Sequence, residues 1–227
     1  MYILIVDDDR FGNMLVQFVL TQEGFEVEIA DNPRGALHMI QKREPDLLLL
    51  DVTMPYISGF EFSEKLRAAG YETPIIFMTA QDTVEAKLRG FDHGADDYIC
   101  KPYNHQELVA RVQAVLRRIR KNITTGGQSI RKGPIELFPA DLKVVIDGGP
   151  EISLTRTEMQ VLRVLMNGSG KVVDRGQLLA EVWNDNENNS NVVDVYVRRL
   201  RSKLEEDAEK PQHIISVRGV GYKFIGK

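Results

Sequence analysis

Short apolar runs alternate with amphipathic stretches through the first half of the chain. Five apolar runs are typical of strands buried on both faces, at residues 2–6, 25–30, 46–50, 74–78 and 97–100. Helical periodicity fills the intervals, at residues 11–22, 33–43, 59–69, 82–91 and 104–120. Strands that alternate with helices predict an α/β doubly wound domain built on a five-stranded parallel sheet. In such sheets a ligand binds beyond the carboxyl ends of the strands.

A different pattern begins after residue 118. Residues 119–130 show no apolar period and are rich in Gly, Thr and basic side chains, so we interpret them as a linker. Residues 131–227 combine short strands and turns with helical patterns, and they end in a hairpin pattern over residues 213–225. The helices are expected near residues 156–166, 175–182 and 191–206. The chain therefore consists of a first domain over residues 1–118, a linker and a second, α+β domain.

Charge distinguishes the two halves. Residues 1–118 carry 12 Lys and Arg against 19 Asp and Glu, a net charge of −7, whereas residues 119–227 carry 17 against 14, a net charge of +3. The second half is therefore the half expected to meet polyanions such as DNA.

Composition narrows the class of protein further. With 43% apolar and 27% charged residues, the chain has the composition of a soluble globular protein. Cys100 is the single cysteine, which we interpret as a small buried hydrophobic residue, and the four histidines are too scattered for a zinc site. Neither a leader pattern nor an apolar run of about 18 residues is present. These features predict a cytoplasmic protein with no membrane partner.

Carboxylates lie at the ends of two predicted strands. Asp7 and Asp8 follow the first strand and Asp51 follows the third, so the three side chains are expected to meet at one edge of the sheet. Close carboxylates repel one another unless a cation joins them, and oxygen ligands with room for water suit Mg²⁺. Taken singly, acidic residues at strand ends are more commonly loop caps or solvated charges.

Two further strand ends carry groups that suit the same site. Thr79 closes the fourth strand and Lys101 follows the fifth. A cation, a hydroxyl and an ammonium together could neutralise the oxygens of a phosphoryl group carried on Asp51. Thr79 alone would be a locally bonded hydroxyl and Lys101 alone a solvated lysine. The coincidence of four such strand ends favours a phosphoryl site.

Four motifs carry a resemblance to a known family: "ILIVDDD", "LLLLDVTMPYISG", "PIIFMTA" and "GADDYICKPY". Together they resemble the flavodoxin-like receiver domain of bacterial two-component response regulators, across about residues 1–118. The resemblance implies that a sensor histidine kinase phosphorylates Asp51. It also implies that Mg²⁺ is bound directly by Asp8, Asp51 and the main-chain carbonyl of Thr53, with Asp7 acting through water.

The same resemblance assigns the remaining residues of the pocket. It implies that Thr79 is the switch hydroxyl, Tyr98 the switch aromatic and Lys101 the phosphate partner, with a cis peptide before Pro102. By pattern alone, Tyr98 would be an ordinary strand aromatic. Within this domain the chain departs from its relatives at two positions. Thr53 stands where Leu or Met is more frequent, and Ser58 stands where Asp is more frequent.

Basic side chains are concentrated on the last predicted helix, residues 191–206. Its apolar residues Val192, Val195, Leu200 and Leu204 define an inward face, and its cations Arg198, Arg199, Arg201 and Lys203 project elsewhere. Such cations can contact phosphates and guanine edges, although a solvated cationic face balanced by the following acidic residues is the commoner meaning. The following "SVRGVGYKF" favours DNA binding, because two glycines and Arg218 suit the tip of a β-wing.

A second resemblance covers about residues 130–225. The motifs "LTRTEMQVLRVL", "LLAEVW", "VVDVYVRRLRSKL" and "VRGVGYKF" resemble the winged helix-turn-helix effector domain of the OmpR/PhoB subfamily of response regulators. The resemblance implies a phosphorylation-dependent, sequence-specific transcriptional regulator that binds double-stranded DNA and works with RNA polymerase. The implied DNA contacts are Asn191, Tyr196, Arg198, Arg199, Arg201 and Arg218. Asn191 stands where several relatives have Arg.

Four residues of the second domain are expected to have structural roles. Leu162 and Trp183 are expected in the core. Thr155 is expected to cap a helix, with Glu158 at its third position.

A surface for self-association is also implied by the family. It is formed by the predicted helix 82–91, strand 97–100 and helix 104–120, and its charged residues are Lys87, Asp96, Asp97, Glu107, Arg111 and Arg118. The resemblance pairs Lys87 with Glu107, Asp97 with Arg111 and Asp96 with Arg118 between the subunits of a phosphorylated homodimer. Two effector domains would then bind direct DNA repeats head to tail. Without the resemblance, mixed charges of this kind indicate a solvated surface.

Two alternative functions have distinguishable features. A haloacid dehalogenase-like phosphatase would also form an aspartyl-phosphate, but it needs a second acid two residues after the nucleophile, where this chain has Thr53. A receiver that only binds other proteins would not require the basic second domain. We therefore expect no enzyme activity beyond Mg²⁺-dependent phosphoryl transfer to Asp51 and its autodephosphorylation.

Overall fold

The computed structural model describes residues 1–80, 90, 93–124, 129–168, 170–183 and 190–226, with backbone alone for residues 118–124 and 190. The chain divides into two compact units, Met1–Arg117 and Arg118–Lys227. Except for Gly90, the helix expected at residues 82–91 lies outside the described residues, and Lys87 with it.

The first unit is built on a five-stranded sheet in which all strands are parallel. The strand order is β2-β1-β3-β4-β5, and the strands are β1 (Tyr2–Val6), β2 (Glu26–Ala30), β3 (Leu47–Asp51), β4 (Ile75–Thr79) and β5 (Asp97–Cys100). The predicted α/β doubly wound fold is thereby confirmed. Apolar residues of β1, β3 and β4 have essentially no exposed surface, as expected for a sheet covered on both faces. The strand order reverses between β1 and β3, which is the position where such sheets bind ligands.

Three described helices lie within this unit, α1 (Arg10–Gln22), α2 (Pro33–Lys42) and α3 (Gly59–Ala68), and a fourth, α4 (His105–Thr124), begins in it. Polar caps start the first three. The Asp9 carboxylate accepts hydrogen bonds from backbone amides of α1, Asn32 caps α2, and Ser58 forms a capping box with Glu61 at the start of α3. Helix α4 continues to Thr124, so the first residues of the interval predicted as a linker are helical.

In its described residues, the second unit contains two antiparallel sheets and three helices besides the end of α4. One sheet has the order β6-β7-β8-β9, and the other has the order β10-β12-β11. The final hairpin, β11 (Ile214–Val217) and β12 (Gly221–Phe224), confirms the sequence pattern. The remaining strands are β6 (Ile130–Lys132), β7 (Ile135–Phe138), β8 (Lys143–Ile146), β9 (Ile152–Ser153) and β10 (Val172–Asp174). The pattern did not predict β6, β9 and β10, which are only two or three residues long.

The helices of the second unit are α5 (Arg156–Asn167), α6 (Arg175–Leu178) and α7 (Ser190–Leu204), and α6 continues as a π-helical turn over Leu179–Trp183. Thr155 and Glu158 form the predicted capping box of α5. The predicted inward face of α7 is buried, as are Leu162 and Trp183. Within the described residues, no helix is both long and apolar enough to cross a bilayer.

Candidate functional site

The turn after β1 holds Asp7 rigidly at the edge of the first sheet. The Asp7 carboxylate accepts a hydrogen bond from the amide of Asp9 at 2.8 Å, and the Asp7 carbonyl accepts one from the Asn13 side chain at 2.7 Å. Asp9 itself caps α1. The three consecutive aspartates therefore differ in environment: Asp7 is buried, Asp8 is exposed and Asp9 caps a helix.

Asp51 is the last residue of β3 and is 4% exposed. Its Oδ2 accepts a hydrogen bond from the Thr53 amide at 2.7 Å. The backbone turns closely behind it, because a Cβ added to Gly59 would lie 2.2 Å from the Asp51 carbonyl oxygen. One carboxylate oxygen from each of Asp7, Asp8 and Asp51 lies within 4.8 Å of the others. The structure thus brings the three predicted carboxylates together.

Lys101 joins two of these carboxylates. Its Nζ donates hydrogen bonds to Asp7 Oδ2 and to Asp51 Oδ1, both at 2.6 Å. The peptide bond between Lys101 and Pro102 is cis, as predicted. Thr79 ends β4 and is 2% exposed, and its carbonyl accepts the amide hydrogen of Lys101 at 2.6 Å. The backbone of β4 therefore holds the base of the Lys101 side chain.

The electrostatics of the pocket indicate an excess of negative charge. Burial raises the pKa of Asp51 and the Asp7 carboxylate raises it further, although Lys101 and the Thr53 amide act in the opposite direction. Burial alone would lower the pKa of Lys101, but the hydrogen bonds and charges of Asp51 and Asp7 outweigh it and raise that pKa. The pocket therefore holds three carboxylates and one ammonium, which pairs with two of them.

This donor set fits a divalent cation. All three side chains offer hard carboxylate oxygens, and exposed Asp8 leaves one side open to water, as Mg²⁺ requires. A bound cation would also relieve the repulsion from Asp7, which adds to the effect of burial in raising the pKa of Asp51.

Tyr98 and Cys100 lie on β5, beside β4. Tyr98 is 5% exposed, so its ring is buried in this structure, and a Cβ added to Gly90 would lie 3.3 Å from that ring. Cys100 is half-buried, which corrects the expectation of a small buried hydrophobic residue.

Residues of the predicted dimer face make contacts within the chain. Asp97 Oδ1 accepts hydrogen bonds from Arg111 Nη1 at 3.0 Å and from the Tyr98 amide at 2.8 Å. Glu107 pairs with Arg111 one helical turn away on α4, at 3.0 Å. The side chains of Lys87 and Arg118 lie outside the described part of the chain.

Asp96 does not lie on an exposed face, and its assignment to the dimer surface is corrected. It is 3% exposed, and its Oδ2 accepts the Ile75 amide hydrogen at 2.9 Å and lies 3.9 Å from Arg67. A carboxylate at this strand start satisfies the backbone of the neighbouring strand.

The predicted DNA-contacting residues fall into two groups. Asn191, Arg198 and Arg218 are exposed. Tyr196 is fully buried, with its ring centroid 5.3 Å from that of Trp183, so the expectation that it points toward DNA is wrong. The physical reason is that an aromatic ring on the inward stripe of an amphipathic helix joins the core.

Arg199 and Arg201 are engaged inside the second unit. Arg199 Nη2 lies 3.0 Å from Glu158 Oε1. Arg201 donates to the Ile214 carbonyl through Nε at 2.9 Å and through Nη2 at 2.6 Å, and to Ser216 Oγ at 2.9 Å. In this structure the Arg201 guanidinium therefore binds the wing rather than facing solvent.

Sequence reasoning missed a hydrophobic stripe on α1. Phe11, Met14, Leu15 and Phe18 are 88%, 64%, 48% and 62% exposed. Their spacing of i, i+3, i+4 and i+7 places them on one face of the helix, opposite the buried residues Asn13, Val16 and Leu20. The segment "FGNMLVQF" is apolar on two faces of the helix, so the pattern was visible in the sequence. It was missed because apolar residues are generally expected to be buried. We name this exposed set the α1 stripe.

Comparison with known proteins agrees with this geometry. The family described as "Response regulator receiver domain" matches residues 3–113, and the family described as "Transcriptional regulatory protein, C terminal" matches residues 149–224. The chain is 39% identical over 227 residues to the sensory transduction protein RegX3 of Mycolicibacterium smegmatis, covering 99% of each protein.

Solved structures give the same result. A serine variant of RitR superposes with a TM-score of 0.82 at 31% identity, covering 98% of both chains. The response regulator DrrB, described as a Thermotoga maritima OmpR/PhoB homolog, matches with a TM-score of 0.51 at 32% identity, covering 99% of both chains.

Sheet order, carboxylate pocket and basic second unit define a two-component response regulator with a DNA-binding effector domain. The chain belongs to this family, and specifically to its OmpR/PhoB type.

Proposed function

We propose that this protein is phosphorylated on Asp51 by a sensor histidine kinase and that phosphorylation controls its binding to specific DNA. The observation that carries the proposal is the convergence of Asp7, Asp8, Asp51 and Lys101 at one edge of the sheet. Because this function requires contact with DNA, we place the protein in the cytoplasm.

Each residue of the pocket has a distinct part in phosphoryl transfer. Asp8, Asp51 and the Thr53 carbonyl would hold Mg²⁺ directly and Asp7 would do so through water; the bound ion supplies positive charge to the phosphoryl oxygens. A carboxylate oxygen of Asp51 forms the new P–O bond while the P–N bond to the kinase histidine breaks. Lys101 already donates to Asp51 and can donate to a phosphoryl oxygen placed there. The same pocket would admit the water that later hydrolyses the acyl phosphate.

The α1 stripe is the surface on which we propose that the kinase docks. Helix α1 begins three residues after Asp7, so the stripe starts beside the carboxylate pocket. A protein that delivers a phosphohistidine to Asp51 must approach from this edge of the sheet. Exposed apolar residues with helical spacing suit the apolar face of a partner helix.

Phosphorylation would then act through Thr79 and Tyr98. Movement of the Thr79 hydroxyl toward the phosphoryl group would let the Tyr98 ring follow, and the dimer face beside β5 would change. We propose that Asp97, Glu107 and Arg111 exchange their contacts within the chain for contacts between subunits. Lys87 and Arg118 are also proposed to form contacts between subunits.

DNA binding is proposed for α7 and the β11–β12 wing. The exposed residues Asn191, Arg198 and Arg218 and the partly exposed Arg199 are the proposed contacts, with α7 in the major groove and Arg218 in the minor groove. A homodimer would place two effector domains on direct repeats about one helical turn apart and would present them to RNA polymerase.

Phosphorylation of the intact chain tests the proposal. Wild type should gain one phosphoryl group from a small acyl-phosphate donor only when Mg²⁺ is present, as measured by intact mass. Asp51→Asn should gain none, whereas Asp31→Asn, which removes an exposed carboxylate outside the pocket, should behave as wild type. Undiminished phosphorylation of Asp51→Asn would contradict the assignment. Steady turnover of a phosphomonoester would instead favour a phosphatase.

A further inference from the structure

A buried carboxylate lies beneath the helix proposed to enter the major groove. Glu158 of α5 has no exposed surface. Its Oε2 accepts a hydrogen bond from the Thr155 amide at 2.8 Å, which is its part in the capping box. A helix cap needs only one acceptor oxygen and is usually exposed to water. Full burial of this charge therefore requires further partners.

Those partners are two cations of α7. Arg199 Nη2 lies 3.0 Å from Glu158 Oε1, an ion pair in which the N–H is not aligned for a hydrogen bond. Lys203 Nζ donates to Glu158 Oε2 at 2.7 Å and to the Ser153 carbonyl at 2.9 Å. The Arg199 side chain keeps 18% of its surface exposed and Lys203 keeps 32%.

Spacing makes this contact set a constraint on the orientation of α7. Arg199 and Lys203 are four residues apart, so they project from one face of the helix about one turn apart. Because both converge on one fixed carboxylate, rotation of α7 about its axis or sliding along it would break at least one of the two ion pairs. Charged partners of this kind position a side chain through a low-dielectric contact.

We propose that Glu158 is a positioning residue for DNA recognition, which orients the Arg199 guanidinium from beneath α7 and withholds Lys203 from DNA phosphates. The inference rests on the proposed role of α7 as the DNA-reading helix. An ion pair that fixes the Arg199 guanidinium also fixes the direction in which it meets a base edge, and a lysine engaged with protein oxygens adds no sequence-independent affinity. Glu158 thereby favours specific over non-specific binding without touching DNA.

Glu158→Gln in the full-length chain provides the test. Glutamine keeps the size of the side chain and an oxygen for the Thr155 amide, but it removes the charge that attracts both cations. The matched control is Glu61→Gln, which removes the equivalent carboxylate of the α3 capping box, where Ser58 is its partner. Both variants and wild type are phosphorylated with an acyl-phosphate donor and Mg²⁺. They are then titrated with a duplex enriched by wild type from a random pool and with a random-sequence duplex of equal length.

The expected result is a loss of specificity. Glu158→Gln should bind the enriched duplex about ten-fold more weakly, a factor typical of one base contact. Its affinity for the random duplex should stay within about two-fold of wild type, and the slope of log affinity against log salt on that duplex should steepen by about one, because the freed Lys203 gains a phosphate contact. Glu61→Gln should match wild type on both duplexes.

A double-mutant cycle separates positioning from folding. Adding Glu158→Gln to Arg199→Gln should weaken binding to the enriched duplex no further, since Glu158 acts through Arg199. Equal weakening on both duplexes, additive effects in the cycle or an unchanged specificity ratio would each overturn the inference. If Glu158→Gln does not fold, Lys203→Gln replaces it. That variant should lower the ratio of enriched to random affinity about three-fold, and an unchanged ratio would overturn the inference. Failure of wild type to enrich any duplex would count against the proposed DNA-binding function itself.

Discussion

Replacing Arg201 by Met should destabilise the second domain by removing the guanidinium that binds the wing. The guanidinium donates two hydrogen bonds to the Ile214 carbonyl and one to Ser216 Oγ. Ile214 is fully buried, at the outer strand of its sheet, and its amide is bound in turn by the Glu205 carboxylate at 2.8 Å. The side chains of Arg201 on α7 and of Glu205, the residue after α7, thus take the place of a neighbouring strand for Ile214.

The magnitude follows from the carbonyl that is left without these donors. An unsatisfied buried acceptor costs about 1 to 3 kcal/mol, and Met keeps both the apolar stem and the helix propensity of Arg. At about 2 kcal/mol per molar urea for a domain of this size, the midpoint of unfolding should fall by about 1 M.

Tryptophan fluorescence during urea unfolding measures this change in the second domain alone. Trp183 is the single tryptophan of the chain and is buried against Tyr196. Exposed Arg198, on the same helix, provides the control, and Arg198→Met should shift the free energy of unfolding by less than about 0.5 kcal/mol. The reasoning is refuted if Arg201→Met unfolds at the wild-type midpoint and yet loses affinity for specific DNA. In that case Arg201 contacts DNA.

Three further outcomes are expected. Burial opposes ionisation of Glu158, but Arg199 and Lys203 of α7 lower its pKa below the ordinary 4.5. The contribution of this ionised carboxylate to the stability of the second domain should therefore be complete above about pH 4.5 and lost as pH falls further. In acid unfolding followed by tryptophan fluorescence, Glu158→Gln should lack this part of the pH dependence. Gly59→Ala should lower the free energy of unfolding of the first domain by about 1 to 3 kcal/mol, as measured in urea, because the added Cβ would lie 2.2 Å from the Asp51 carbonyl oxygen. The same clash should slow phosphorylation of Asp51, and a wild-type rate of phosphorylation would contradict this. The double variant Phe11→Ser, Phe18→Ser should be phosphorylated by a small acyl phosphate at the wild-type rate. Its phosphorylation by an autophosphorylated kinase that is active on wild type should be slower, because the α1 stripe is the proposed docking surface. Equal slowing with both donors would contradict this role of the α1 stripe.

The carboxylate pocket is the part of the protein most completely determined by its sequence. Each strand of a parallel sheet buried on both faces is a continuous apolar run, so the point where the run ends is visible in the sequence. Asp7, Asp51 and Thr79 each stand at such a point, and parallel topology brings the points to one edge. The local pattern and the tertiary arrangement therefore carry the same information here.

The second domain shows where that correspondence ends. The periodicity of α7 separated an apolar face from a polar face, but it could not show which cations would contact protein and which would contact solvent. Glu158 lies more than forty residues from Arg199 in sequence, and the wing strand that binds Arg201 follows the helix. Partners so distant are defined only when the elements pack, which is why Arg201 was expected on the DNA side.

The α1 stripe and Asp96 were decided by tertiary structure for a related reason. Helix α1 is apolar on two faces, and only one sheet is available to cover it, so the choice between Val16 and Phe18 depends on how the helix packs. Asp96 is charged and precedes an edge strand, yet it is buried because the amide of Ile75 on the next strand needs an acceptor. Sequence patterns specify which residues can be buried, whereas packing and hydrogen bonding between distant elements decide which of them are.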